Sequence, residues 1–152
     1  MFMINRIFLD SSIFIEPLKG NKVDFYKLLI SNLENELYIN DVVLSEYLYY
    51  VLAFNSDVSP KTLQRKNQIE DVIEQKPEIV RALNNFILLS SDQSFIKEVP
   101  RLMVEYNLLP NDAIILATCK LHGAKLVSHD SDFINPCQSE NIDLINELNP
   151  KF

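Results

Sequence analysis

In the sequence Arg6-Ile7-Phe8-Leu9-Asp10-Ser11-Ser12, a run of β-prone apolar residues ends at a carboxylate. Its apolar residues predict a short buried strand from Arg6 to Asp10, and the two serines supply a polar exit. A short helix follows over residues 11–16, and Pro17 and Gly20 are expected to stop it. The chain therefore places an acid at the carboxyl end of its first predicted strand.

Strands and helices alternate along the rest of the chain. Further strands are predicted at 37–39, 86–89 and 124–128, with a candidate edge strand at 141–145. Helices are predicted at 23–33, 42–54, 61–75, from 77 toward 83, from a cap at 91 or 92 toward 106, and at 111–122. Pro100 is expected to kink or split its helix, and Gly123 is expected to end the last one. This alternation predicts an α/β fold with a central, mostly parallel sheet of four or five strands flanked by helices.

Four acids lie at predicted strand ends or helix starts. Asp10 and Asp130 come just after strands, whereas Glu46 and Asp112 lie in the early turns of helices. Parallel sheets bind ligands outside the carboxyl ends of their strands, so we expect the four to meet at one edge of the sheet. Glu46 also stands in an apolar helix expected to be buried on two sides, where an unpaired acid is costly.

A cluster of this kind needs cations or bound protons. Two carboxylates about 4 Å apart repel by about 4 kcal/mol at an effective dielectric of about 20. Hard oxygen ligands suit Mg²⁺ or Mn²⁺, which also carry phosphate substrates. The alternatives are helix capping for Asp10 and Asp112, an ion pair for Glu46, and turn formation for Asp130 and Asp132. One shared metal site explains all four positions more economically.

Composition narrows the function classes. The 152 residues are 47% hydrophobic, which predicts a single domain over 1–152 with a real core. A net charge of −7 argues against a protein that coats DNA without sequence preference. With only two glycines the chain has no glycine-rich phosphate-binding loop, which argues against an enzyme with a nucleotide cofactor.

The apolar run at residues 1–9 is too short for a signal peptide, and no run approaches the roughly 20 residues that span a bilayer. We therefore expect a cytoplasmic protein without membrane contact. Cys119 and Cys137 lack a metal-binding spacing and are expected to be reduced packing residues.

The acids and their neighbours form four motifs in a fixed order. These are Leu9-Asp10-Ser11-Ser12, Ser45-Glu46, Leu109-Pro110-Asn111-Asp112-Ala113-Ile114-Ile115-Leu116-Ala117 and Leu126-Val127-Ser128-His129-Asp130-Ser131-Asp132-Phe133. Together they resemble the PIN-domain nucleases, most closely the single-domain VapC-type toxins, over nearly the whole chain. The resemblance implies a PIN-like three-layer fold.

The resemblance also implies the site. Its metal-binding acids would be Asp10, Glu46, Asp112 and Asp130, with Asp132 as a fifth candidate. Ser12 would orient the first carboxylate, and Ser128 would be a hydroxyl partner at the strand end. In the favoured arrangement the first three acids hold one metal, and Asp130 or Asp132 completes a second, weaker site or its outer shell.

What the resemblance implies functionally is a Mg²⁺- or Mn²⁺-dependent ribonuclease with an RNA substrate, the toxin of a type II toxin–antitoxin pair, inhibited by a cognate antitoxin and forming a homodimer. The competing hypothesis is a catalytically weak or inactive interaction module.

A phosphoaspartate receiver domain is disfavoured because Ser12 occupies the position at which that class has a second acid. His129 is expected to be a solvated loop residue rather than a phosphate contact. The aromatic residues Tyr47, Tyr49, Tyr50 and Phe54 are expected in the core, with a partner or dimer surface as the alternative.

Overall fold

A parallel sheet of five strands forms the centre of the computed structural model, which describes residues 4–150. The strands are β1 (Asn5–Leu9), β2 (Asn35–Ile39), β3 (Ile87–Leu88), β4 (Lys125–Val127) and β5 (Leu144–Ile145). Their spatial order is β3-β2-β1-β4-β5, and every pairing is parallel. The order reverses between β1 and β4, so the switch point of the sheet lies where Leu9 pairs with Val127.

Helices flank this sheet. They are α1 (Ser11–Leu18), α2 (Val23–Ser31), α3 (Asp41–Phe54), α4 (Pro60–Arg65), α5 (Ile69–Gln75), α6 (Pro77–Ala82), α7 (Phe95–Tyr106), α8 (Pro110–His122) and α9 (Ile134–Ser139). Short 3₁₀ turns cover Leu83–Asn85 and Ser131–Phe133. The predicted α/β fold with a parallel central sheet is therefore confirmed. None of the helices in residues 4–150 is long and apolar enough to cross a membrane.

The core is built on the central strand. Ile7, Phe8 and Leu9 have no exposed surface, and neither have Leu126 and Val127 beside them on β4. A strand buried on both sides in this way has a continuous apolar sequence, which is why the sequence identified β1. The single-domain prediction stays a prediction, and residues 1–3 and 151–152 lie outside the described chain, including the start of the apolar run at 1–9.

Several element boundaries differ from the predictions. The helix expected over 61–75 is two helices, because Asn67 adopts a left-handed conformation (φ 54°) between α4 and α5. The helix expected over 23–33 ends at Ser31 and leaves Leu33 99% exposed. Pro100 lies inside α7, which runs unbroken through it, so the expected split is not seen and the expected kink stays a prediction. Helix α7 begins only at Phe95, because the Asp92 side chain instead accepts a bond from the Ser94 amide (2.8 Å).

Helix α3 is less buried than expected. Its buried residues are Val43, Tyr47 and Val51, which form one stripe at a spacing of four rather than two buried faces. Tyr49 is 62% exposed and Phe54 49%, so the expectation that these aromatic residues pack in the core was wrong for both. Of Tyr47, Tyr49, Tyr50 and Phe54, Tyr47 alone is buried, at 5% exposed.

A buried polar contact fixes the start of α3. The Asn40 side chain caps the helix by accepting from the Val43 amide (3.0 Å). Its amide nitrogen donates to Thr118 Oγ1 (3.0 Å) on α8, and that hydroxyl donates to the Ile114 carbonyl (2.7 Å). Asn40 and Thr118 are both almost fully buried, so this bond ties α3 to α8 inside the core.

We expect Thr118→Val to lower the free energy of unfolding by about 1–2 kcal/mol, because it keeps the side-chain shape but leaves the buried Asn40 amide without its acceptor. Urea denaturation followed by circular dichroism measures the change. The control is Thr62→Val on α4, whose hydroxyl contacts Ser59 at the surface (3.0 Å) and whose loss should cost under about 0.5 kcal/mol. Equal losses in the two variants would contradict the assigned role of the buried bond.

Candidate metal centre

Asp10 is the most constrained acid in the site. Its backbone amide continues the β1–β4 ladder by donating to the Val127 carbonyl (3.0 Å). One carboxylate oxygen accepts from the Ser11 amide (2.8 Å), and the other accepts from the hydroxyls of Ser12 (2.8 Å) and Ser128 (2.7 Å). The residue is only 5% exposed. Backbone and side-chain hydrogen bonds together therefore fix this carboxylate at the switch point of the sheet.

The two serines also hold the loop after β4. Ser128 Oγ accepts from the Asp130 amide (3.0 Å), and Ser12 Oγ accepts from the His129 amide (3.1 Å). Each hydroxyl thus donates to Asp10 and accepts from a loop amide, so it acts as both donor and acceptor. This network brings Asp130 to the same edge of the sheet as Asp10.

Glu46 reaches the site from the second turn of α3. Its Oε1 accepts from the side-chain amide of Asn111 (2.6 Å), which lies in the first turn of α8 next to Asp112. No ion pair involves Glu46 in the described chain, so the alternative of a salt bridge with a helix neighbour is not seen. The Asn111 contact was not predicted, and the only sequence signal for it is an amide directly before a predicted metal-binding acid.

The pKa of Asp112 is raised by burial and by the negative charges of the other acids. Burial is the largest cause that raises its pKa to about 6, and repulsion from Asp10, Asp130, Glu46 and Asp132 follows in that order. Carboxylates separated widely through water would not perturb one another in this way. The four predicted acids therefore converge on one region.

The surroundings of Asp10 shift the pKa of its carboxyl in both directions. Burial, the largest cause, raises its pKa, the hydrogen bonds from Ser128, Ser12 and Ser11 lower it, and repulsion from Glu46 raises it again. The net direction is upward. A fixed, desolvated carboxylate beside other acids has an electrostatic penalty that a cation would remove.

One cleft of about 520 Å³ joins these side chains. Its lining residues are Asp10, Ser11, Ser12, Ile15, Glu16, Ser45, Glu46, Tyr49, Tyr50, Asp112 and Asp130. Asp132 is not among them: it is exposed, and its backbone amide donates to Asp130 Oδ1 (2.9 Å). The geometry therefore separates the two acids of the last motif and favours Asp130 as the one that faces the cleft.

The donor set fits a hard divalent cation, since carboxylate oxygens are the ligands that Mg²⁺ and Mn²⁺ prefer. Their spacing is wider than direct coordination requires: within residues 4–150 no three His, Cys, Asp or Glu side chains are close enough to hold one ion as they stand. Joint coordination would require Glu46, Asp112 and Asp130 to turn toward the fixed Asp10. The assignment of these residues as ligands stays a prediction.

His129 is not the solvated loop residue that was expected. Its ring packs against Phe25 (centroids 5.4 Å apart), and its Nδ1 is buried without a hydrogen-bond partner in the described chain. Burial is the main cause that lowers the pKa of its imidazole. Its contribution to the centre comes from the backbone amide bound to Ser12.

Comparison with known proteins gives a consistent family. A model of the PIN domain matches residues 7–138. Ribonuclease VapC6 of Methanocaldococcus jannaschii is 33% identical over 141 residues, which cover 85% of this chain and 91% of that protein.

Solved structures agree on the fold. VapBC2 from Rickettsia felis, bound to a DNA fragment from its promoter, superposes with a TM-score of 0.60 at 20% identity, over 93% of this chain and 98% of that one. A toxin–antitoxin complex from Klebsiella pneumoniae gives a TM-score of 0.58 at 23% identity, over 84% and 90% of the two chains. At these identities the likeness speaks for the fold alone.

We expect Asp112→Asn to stabilise the metal-free protein at pH 7.5. The pKa of Asp112 is about 6 in the native state, whereas its ordinary value is 3.8. Between pH 3.8 and pH 6 the native state therefore binds more protons than the unfolded state. The free energy of unfolding consequently falls as the pH rises through this range. Removing the charge should restore about 1 kcal/mol at pH 7.5, a figure reduced for solvent screening of a half-exposed group. The gain should shrink toward pH 4.

Urea denaturation in a chelator at the two pH values measures this difference. Asp24→Asn, at an exposed position on α2, is the matched control and should change little at either pH. A loss of stability at pH 7.5 in Asp112→Asn would mean that the acid is held by favourable contacts rather than opposed by its neighbours.

Proposed function

The chain belongs to the PIN-domain family, and from that premise we propose that it is a divalent-metal-dependent endoribonuclease, the toxin of a type II toxin–antitoxin pair. The observation that carries the proposal is the convergence of Asp10, Glu46, Asp112 and Asp130 on one cleft at the switch point of the sheet. The ribonuclease name of the relative that is 33% identical supports the choice of RNA as substrate.

We propose that Asp10, Glu46 and Asp112 hold a Mg²⁺ or Mn²⁺ ion. Asp130 would complete the site or its outer shell. Asp132, which is exposed and outside the cleft lining, would act only through its amide bond to Asp130. The assignment rests on the hard oxygen donors and on the upward pKa shifts of Asp10 and Asp112.

An ion held there would stabilise charge on the phosphoryl oxygens and would lower the pKa of water, so that hydroxide is available near neutral pH. In the hydrolysis the water oxygen bonds to phosphorus as the P–O3′ bond breaks, and the proton that the water loses is balanced by the one that O3′ gains, which leaves a 5′-phosphate and a 3′-hydroxyl. The chain supplies the positioning. Ser12 and Ser128 hold the Asp10 carboxylate in one orientation, and Asn111 holds the Glu46 carboxylate toward the cleft.

Preorganisation is uneven across these acids. Asp10 is buried and its carboxylate accepts bonds from three serines, whereas Glu46 has one side-chain partner and Asp112 lies half-buried. The fixed carboxylate would set the position of the centre, and the less constrained ones would adapt to the substrate.

The second candidate is a weak or inactive interaction module. The observation in its favour is that no three of the acids stand close enough to hold an ion without rearrangement, among the residues described. The raised pKa values argue for the metal site, because an inactive module gains nothing from acids that repel one another.

Protein partners belong to the proposal as well. We propose a cognate antitoxin and a second copy of the chain as partners. Helix α7 offers exposed apolar residues for such contacts, with Ile96 71% and Val104 86% exposed, and Leu121 of α8 is 42% exposed. Apolar side chains that are exposed in this way are candidates for burial at a protein interface.

We expect Asp10→Asn and Asp112→Asn each to abolish metal-dependent RNA cleavage, by at least about 100-fold, because each removes a charge that the divalent ion needs. The measurement is cleavage of a labelled single-stranded RNA in Mg²⁺ or Mn²⁺, with circular dichroism to show that each variant folds. Chelation of the metal should silence the wild-type protein.

Asp24→Asn and Asp132→Asn are the controls, because both residues are exposed and neither lines the cleft. The first should keep full activity and the second most of it, whereas Asp130→Asn should lose more than Asp132→Asn. Cleavage that survives Asp10→Asn, or that ignores the chelator, would refute the ribonuclease mechanism.

A further inference from the structure

The cleft continues past the acids along α3. Glu46, Tyr49 and Tyr50 stand at positions i, i+3 and i+4 of this helix, so they share one face, with neighbouring Cβ atoms about 5–6 Å apart. Both tyrosines line the same cleft as Asp10 and Asp112. A molecule bound at the carboxylates therefore meets aromatic rings one helical turn away.

Tyr50 is held in place by its neighbours. Its ring stacks on Phe54, with centroids 5.7 Å apart and planes 16° apart. The ammonium of Lys19 lies 5.8 Å from the ring centroid and is itself paired with Glu16 (3.0 Å). These contacts make Tyr50 a fixed wall of the cleft.

Tyr49 has the opposite character. It is 62% exposed, and within residues 4–150 its ring stacks on no other aromatic ring, whereas Tyr47 two residues earlier is 5% exposed. A side chain kept for packing would lie in the buried stripe with Tyr47. Tyr49 instead lines the cleft with most of its surface exposed, which leaves its ring accessible to a stacking ligand.

We propose that Tyr49 stacks on an unpaired base of single-stranded RNA, next to the phosphate held at the carboxylates, with Tyr50 as the adjoining wall. The inference rests on the proposed ribonuclease function and adds to it the side chain that contacts a base. A nucleobase is neutral, so an acidic cleft accepts it without repulsion, whereas an acidic peptide would be excluded. Bases in duplex RNA stay stacked within the helix, so a protruding ring selects single strands.

The first experiment compares Tyr49→Ala, Tyr49→Leu and Tyr49→Phe in cleavage of a single-stranded oligoribonucleotide. Loss of one base stack predicts a KM about tenfold higher in Tyr49→Ala and Tyr49→Leu, with Tyr49→Phe close to wild type because the ring remains. Leu33→Ala, which removes a 99% exposed apolar side chain outside the cleft, is the matched control and should match wild type.

A series of RNAs with one abasic nucleotide at successive positions locates the stacked base. When the abasic nucleotide is at the stacked position beside the cleaved bond, the KM of the wild-type protein should rise by the same factor as the Tyr49→Ala substitution raises it on normal RNA. The KM of Tyr49→Ala should not rise further on that abasic RNA, because the contact is already absent.

A binding readout separates this inference from catalysis. The chain has no tryptophan, so Tyr49→Trp introduces a single one at the proposed position, and its emission can be excited selectively over that of the tyrosines. In Ca²⁺, added as a divalent ion for binding, single-stranded RNA should quench its emission, and both the abasic RNA and duplex RNA should quench it less.

Unchanged KM in Tyr49→Ala together with unquenched Tyr49→Trp would overturn the base-stacking inference and leave the ribonuclease proposal intact. The same result, with Tyr49→Ala weakening capture of a protein partner, would assign the ring to that partner instead. If the wild-type protein cleaves no RNA in any divalent metal, the proposed function fails, and the fluorescence of Tyr49→Trp still decides whether the ring meets a base.

Discussion

The hydrogen bonds from Ser12 and Ser128 to Asp10 are the interaction on which the site depends. They exist because β1 and β4 are parallel neighbours at the switch point of the sheet, so that two strand ends 118 residues apart in sequence deliver a carboxylate and a hydroxyl 2.7 Å apart. The same hydroxyls receive the loop amides of His129 and Asp130. Fold and site are therefore joined by one small polar network rather than by the sheet alone.

The chain treats its acids in two opposite ways. Away from the cleft, Glu98 pairs with Arg101 (2.7 Å) and Lys120 (2.9 Å), and these hydrogen bonds lower its pKa to about 2. Glu140, just after the end of α9, pairs with the same two cations. In the cleft, burial and like charges raise the pKa of Asp112 to about 6. A protein with net charge −7 that neutralises some acids and leaves others opposed to one another has the electrostatic pattern of a cation site.

The strand-end acids could be predicted because an apolar run that stops at Asp10 has few other structural meanings in an α/β chain. Contacts between distant segments could not. Asn111 and Glu46 are 65 residues apart, and their hydrogen bond depends on how α3 and α8 pack, which no local pattern encodes. The break between α4 and α5 lies at Asn67, and no glycine or proline is present there that would have predicted it from the sequence. The exposure of Tyr49 was missed because an apolar helix favours core burial by default, whereas the packing of α3 leaves this face open to the cleft.

Manganese anomalous diffraction from crystals soaked in Mn²⁺ tests the shared-ion claim most directly. We expect an anomalous peak in the cleft with oxygens of Asp10, Glu46 and Asp112 at about 2 Å, a distance normal for a small divalent ion. An ordered cleft without a peak, its carboxylates still apart at saturating manganese, would contradict a shared ion.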